Sequence, residues 1–148
     1  NPLKQVHATE YDDWMSARSD NGIVIHGDGG NDTLNVGAGD DVLDGGTGND
    51  YLSGGIGNDT YIFEIGYGSD IVEDTDGENN VILNRLTLDM IEFNVNEYGD
   101  LLVSINGSED VLTIRSFDPE LFTFEFADGV IGMVSAEMAE FIQIISKE

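Results

Sequence analysis

The chain has 148 residues, with 5 basic side chains against 30 acidic ones and a formal charge of −25. That charge excludes a basic surface for nucleic acid or an anionic membrane, and the absence of cysteine excludes disulfides and thiolate metal sites. With 40% hydrophobic residues, and 19 glycines against 2 prolines, the composition is that of a folded chain rich in positive-φ turns, not of an acidic disordered tail.

The first twenty residues are acidic and lack the basic and apolar stretches of a cleaved signal peptide, so any export is expected to follow another route. No apolar run approaches the roughly 18 residues of a membrane span. Tyr11 and Trp14 are expected to cover the N-terminal end of the repeats that follow. Asp20-Asn21-Gly22-Ile23-Val24-Ile25 reads as a decayed repeat that caps and does not bind, so 1–26 is taken as an N-terminal cap. His7 and His26 stand alone with no second ligand at metal spacing, which argues against a zinc site.

Residues 27–62 fall into four blocks of nine, starting at Gly27, Val36, Gly45 and Gly54. The fourth column is Gly30, Gly39, Gly48 and Gly57; the fifth is Asn31, Asp40, Asn49 and Asn58. The sixth is Asp32, Asp41, Asp50 and Asp59; the eighth is Leu34, Leu43, Leu52 and Tyr61. Glycine, Asn and Asp tolerate left-handed backbone, so columns one to six predict a turn and columns seven to nine a short strand. One regularly apolar column per block cannot build a core alone, so the blocks must stack.

These blocks resemble the RTX (repeats-in-toxin) nonapeptide, glycine- and aspartate-rich with a large apolar residue in the eighth position. The departures are Asp28 in the second column and Val36 in the first. The resemblance implies an all-β fold, a right-handed parallel β-roll in which two nonapeptides make one coil and Ca²⁺ sits between successive turns on each side. With two blocks to a coil, Asp32 pairs with Asp50 and Asp41 with Asp59. Ca²⁺ takes six to eight oxygens, so backbone carbonyls must complete each site. By resemblance these come from the first four positions: Gly27, Gly29, Gly30, Gly45, Gly46, Thr47 and Gly48 for the first site. For the second they are Val36, Gly37, Ala38, Gly39, Gly54, Gly55, Ile56 and Gly57.

After residue 62 the frame slips by two: in Gly66-Tyr67-Gly68-Ser69-Asp70, Asp70 falls two places past the position that a full coil counted from Asp50 would give. Asp50 with Asp70, helped by Gly68, is a third candidate site, and Asn80 opposite Asp59 is a weaker fourth. About three Ca²⁺ sites are therefore expected, in a roll spanning 27–82. An EF-hand reading of Asp74-x-Asp76-Gly77 fails because Val72 and Leu83 stand where acids are required.

Beyond residue 80, alternating segments separated by turns predict antiparallel hairpins: Ile91/Phe93/Val95, Leu101/Val103/Ile105, Val111–Ile114 and Phe122/Phe124/Phe126. Ser135 is read as the N-cap of a short terminal helix burying Met138, Phe141, Ile142 and Ile145. Residues 61–140 resemble, more loosely, the flanking region that follows the repeats in haemolysin-like and adenylate cyclase toxins. Segment 83–148 is thus expected to be a β-rich cap over the open parallel edge of the roll, cooperative with it.

No nucleophile, zinc-protease or phosphate-cradle motif is present, so no enzyme is expected. The resemblance implies a module that folds on Ca²⁺ outside a bacterial cell, with type I secretion machinery as partner, within a larger secreted toxin, adhesin or exoenzyme. The alternative is a calcium-dependent module that binds glycan or a host surface.

Overall fold

The computed structural model describes residues 3–18, 20–135, 137 and 139–146. Nine short strands come first: β1 (Lys4–His7), β2 (Trp14–Ala17), β3 (Ile23–His26), β4 (Thr33–Val36), β5 (Val42–Asp44), β6 (Tyr51–Ser53), β7 (Thr60–Phe63), β8 (Ser69–Val72) and β9 (Asn79–Leu83). They are short because the turn takes most of each nonapeptide and leaves only its last columns to extend. Successive strands alternate between two sheets, the odd ones in an eight-stranded sheet and the even ones in a seven-stranded sheet. All their pairings are parallel.

The register lines up the apolar column. Ile25, Leu43, Tyr61 and Val81 form one inward row, and Met15, Leu34, Leu52 and Val72 form the opposite one. Leu34, Leu43, Leu52 and Tyr61 are all fully buried, so the single apolar residue per repeat is spent entirely on the space between the sheets. The result is a β-solenoid whose core is one side chain thick on each face.

The roll starts earlier than the four blocks. Strands β1 and β2 pair in parallel with β3 and β4, so residues upstream of the repeats add strands to both sheets. Tyr11 and Trp14, expected to cover this end, are instead 80% and 81% exposed. For Trp14 the reason is alternation: Met15 takes the inward position on β2, which turns Trp14 outward beside Thr33.

Strands β10 (Ile91–Val95), β11 (Leu101–Ile105) and β12 (Val111–Ile114) form an antiparallel meander. Then β12 lies parallel to β8, and β13 (Phe122–Phe126) lies parallel to β9, so the chain resumes the roll after a detour. Strands β14 (Val130–Val134) and β15 (Phe141–Ser146) close the larger sheet by antiparallel pairing. Here the core turns aromatic: Phe93 packs on Phe124 at 5.4 Å, and Phe126 on Phe141 at 5.3 Å.

The expected terminal helix is corrected to a strand. Phe141, Ile142 and Ile145 lie on β15, while Met138 is outside the described residues. The free edge of β14 offers backbone hydrogen bonds, and alternation puts Phe141 against the core while Ile142 is 56% exposed. A β-branched-rich run beside an open edge satisfies its amides there more completely than an isolated helix would.

Close stacking of turns depends on missing side chains. Gly48 has φ +99°, and a Cβ placed on it would sit 2.0 Å from the carbonyl oxygen of Gly30 in the coil before. Gly99 has a similar φ of +82° but meets nothing within 4 Å. Gly99→Ala is therefore expected to cost about 1 kcal/mol for backbone strain alone, and Gly48→Ala more than about 2 kcal/mol. Urea unfolding checks this; equal losses would mean that turn spacing does not rest on the glycine contact.

Candidate metal centre

The sixth-column aspartates are buried at the two edges of the roll, where the sheets meet the turns. Asp32, Asp41, Asp50, Asp59 and Asp70 are each 3% exposed or less. One carboxylate oxygen of each accepts a backbone N–H from the turn before it. Asp13 N–H donates to Asp32 Oδ1 at 2.8 Å, Asp32 to Asp50 at 2.8 Å, and Asp50 to Asp70 at 2.9 Å. On the other edge Ile23 N–H donates to Asp41 at 2.8 Å and Asp41 to Asp59 at 2.9 Å. The structure thus stacks the aspartates in the order expected from two nonapeptides per coil, with a lengthened step to Asp70.

The fifth column forms a second ladder that runs the opposite way, a role the sequence reading missed. Asn49 N–H donates back to Asn31 Oδ1 at 2.8 Å, Asn58 to Asp40 at 2.9 Å, and Ser69 to Asn49 at 2.9 Å. Each turn is therefore tied to both neighbours. The regular Asn/Asp content of the fifth column was the available signal.

The other oxygen of every sixth-column aspartate, Oδ2, is buried without a hydrogen-bond partner. Such an oxygen is costly in a low-dielectric interior unless a proton or cation reaches it. Burial is the largest cause in each case and pushes all five carboxyls above the ordinary range, to about 7 for Asp50 and about 8 for Asp59 and Asp70.

The first-column glycines lie against these oxygens. A Cβ on Gly27 would meet Asp32 Oδ2 at 2.6 Å and the Gly45 carbonyl at 2.5 Å; on Gly45 it would meet Asp50 Oδ2 at 2.5 Å. Fourth-column glycines lie against carbonyls of the preceding coil, Gly57 on Gly39 at 2.1 Å and Gly68 on Gly48 at 2.7 Å. Among the described residues no three His, Asp or Glu side chains converge as a metal set, so carbonyls must supply the remaining ligands. Orphaned carboxylate oxygens in a glycine-lined cradle of carbonyls, with no sulfur or imidazole, fit a hard divalent cation.

Ile56 is 66% exposed and Thr47 is exposed, so at those positions only the backbone faces the turn stack. The place opposite Asp59 is corrected from Asn80 to Asn79, which is 2% exposed and whose Oδ1 accepts Asp59 N–H at 2.9 Å. The two-residue insertion lengthens the step on both edges alike. Asn80 instead turns outward and donates to Glu125. Asp74, outside the repeat's acidic column, is also buried at this end of the roll, 5% exposed.

His7 and His26, read as separate, are brought together. The pairing of β1 with β3 stacks their rings at 4.3 Å, each beside a carboxylate, Asp28 at 3.3 Å and Asp44 at 3.5 Å.

Residues 26–61 match the RTX calcium-binding nonapeptide repeat in four copies, and residues 100–131 match the haemolysin-type calcium binding protein related domain. The chain carries an RTX calcium-binding repeat region in a β-roll. Its fold is similar to the extracellular lipase LipA of Serratia marcescens, at 21% identity and TM-score 0.58, over 79% of this chain and 19% of the lipase. It is also similar to the AlgE6R2 subunit of the Azotobacter vinelandii mannuronan C5-epimerase, at 20% identity and TM-score 0.56, over 82% of this chain and 92% of that one. The chain thus spans about a fifth of the lipase and nearly all of the epimerase subunit. Curated protein sequences yield no match.

Without a cation, protonation is the other way to neutralise the buried oxygens. The folded carboxyls bind protons at a higher pH than the unfolded value of 3.8. The folded state therefore holds more protons between about pH 4 and 8, and its stability falls as pH rises through that window. In chelator, the β-sheet signal in far-UV circular dichroism is expected to grow as pH is lowered from 8 towards 4. A signal that is flat or falls over this range would contradict the burial of these carboxyls.

Proposed function

We propose that this is a calcium-binding module that folds when Ca²⁺ reaches it outside the cell, and that it supports the export and stability of a larger secreted bacterial protein. The observation that carries the reading is the set of five buried Oδ2 atoms, each without a hydrogen-bond partner, with the Gly45 carbonyl beside that of Asp32. Asp32 with Asp50, Asp41 with Asp59, and Asp50 with Asp70 are the proposed carboxylate pairs. The carbonyls of the first four columns of the flanking turns complete each site.

Ligand that binds only the folded state stabilises it by RT ln(1 + [L]/Kd), about 2.7 kcal/mol per site at a hundredfold excess. Three sites supply roughly 8 kcal/mol, within the range of about 5–15 kcal/mol that separates a folded domain from its unfolded chain. Calcium at cytosolic levels leaves such a chain unfolded and threadable, and calcium at extracellular levels folds it. This suits passage through type I secretion machinery, followed by folding that opposes return. Catalysis, in this reading, belongs to other regions of a parent protein. The exposed Tyr11 and Trp14 are the candidates for any contact with glycan or a host surface.

Far-UV circular dichroism is expected to change from disordered to β between chelator and millimolar Ca²⁺ at neutral pH; an unchanged spectrum would sink the proposal. Asp50 stands in two pairs, so Asp50→Asn is expected to release two Ca²⁺ where Asp41→Asn releases one. Calcium counting by native mass spectrometry reads the difference, and equal losses would refute the shared position of Asp50.

A further inference from the structure

The last turn on the Asp59 edge, residues 74–79, departs from the nonapeptide in two columns at once. It loses the sixth-column carboxylate, which becomes Asn79, and gains one in the first column, where Asp74 stands in line with Gly54 of the coil before. Asp74 is 5% exposed and Asp59 is completely buried. Two carboxylates therefore share this end of the roll although the sixth column supplies only one.

Their surroundings bring them face to face. Tyr61 donates its hydroxyl proton to Asp74 Oδ2 at 2.6 Å and accepts the Gly54 N–H at 2.8 Å, which fixes the direction of the O–H. The backbone N–H of Asp76 donates to Asp74 Oδ1 at 3.1 Å. Asp59 Oδ2, which has no partner, and the Tyr61 hydroxyl both close on Gly54, 2.3 and 2.6 Å from the place of its absent Cβ. Burial first, and then the nearby carboxylates of Asp74 and Asp41, push the Asp59 carboxyl up. Asp74 also lines an open cleft with Ser53, Gly55, Asp76 and Arg115, so this side of the pair borders solvent.

We propose that Asp59 and Asp74 form a further site for a hard divalent cation, in which a first-column carboxylate takes the place of the missing sixth-column aspartate. The inference rests on the calcium reading above but uses a residue outside the repeat pattern. Turn packing at this step follows the other coils, since Gly77 lies against the Gly57 carbonyl as Gly48 lies against that of Gly30. The carbonyls of 54–57 and 74–77 are then the remaining oxygen donors. Tyr61 is a positioning residue that holds the Asp74 carboxylate towards Asp59, and Asn79 keeps the backbone ladder without adding charge.

The test is calcium counting on the full chain, by native mass spectrometry and calorimetric titration with CaCl₂. Asp74→Asn is expected to bind one Ca²⁺ fewer than the wild type while keeping the calcium-dependent β signal. Asp74→Gly, which restores the first-column glycine, is expected to give the same count and serves if the asparagine variant does not fold. An unchanged count in the folded variant overturns the site and leaves the two carboxylates sharing a proton. A wild type that binds no Ca²⁺ overturns the calcium reading itself, a separate failure.

Discussion

Stacking like charges in a dry place is the constraint on which this molecule depends. A nonapeptide that repeats in register must superpose its sixth residue from coil to coil, and here that residue is aspartate at Asp32, Asp50 and Asp70 on one edge and at Asp41 and Asp59 on the other. The ladder satisfies one oxygen of each carboxylate and leaves the second buried and bare. Water cannot relieve that oxygen, and the sheets cannot separate to expose it without opening the core rows. Under the proposed reading, a cation between turns answers the charge, the orphaned oxygens and the carbonyls together, and the stability of the roll follows the supply of that ion.

The remaining features serve that arrangement. Glycines in the first and fourth columns let the turns approach within carbonyl contact, and the fifth-column ladder binds each turn to the one before it while the sixth-column ladder binds it to the one after. The C-terminal part supplies what the thin roll lacks, an aromatic core built from Phe93, Phe117, Phe122, Phe124, Phe126 and Phe141. It also reaches back to the turn stack. The Asp110 carboxylate accepts the N–H groups of Gly66 at 2.9 Å and Gly68 at 2.8 Å, so this part braces the turn that ends in Asp70.

Much of this was legible because repetition converts spacing into position. Once two nonapeptides make a coil, the pairing of Asp32 with Asp50 follows by counting, as does the burial of Leu34, Leu43 and Leu52. Counting failed where the repeat decays. The pair to Asp59 was set at Asn80, although the lengthened step that carries Asp50 to Asp70 also carries Asp59 to Asn79; two neighbouring asparagines of the same chemistry hid the one-residue slip. The terminal helix was misread because apolar residues at three- and four-residue spacing, Phe141, Ile142 and Ile145, also suit a strand when an unpaired neighbour such as β14 is available. The meeting of His7 and His26 came from the parallel pairing of β1 with β3: residues 20–25 read as a decayed repeat, but nothing in residues 4–7 marks a further coil before it.

The return of the chain to the roll after β9 has a consequence for how such a molecule can vary. Up to Leu83 each new strand finds its partner one coil back, whereas Val111 pairs with Ser69 across the whole of β9, β10 and β11. Doubling a closed loop raises its entropic cost by only about 0.6 kcal/mol, so the detour through β10 and β11 is nearly free. Its two ends leave β9 and rejoin at β12 half a coil on, and although β10 and β11 pack Ile91, Leu101 and Val103 into the core, the exposed turn around Tyr98 between them is open to lengthening or exchange while the strands on either side keep their places. The roll behaves there as a spool from which a loop of thread can be drawn without unwinding the turns below.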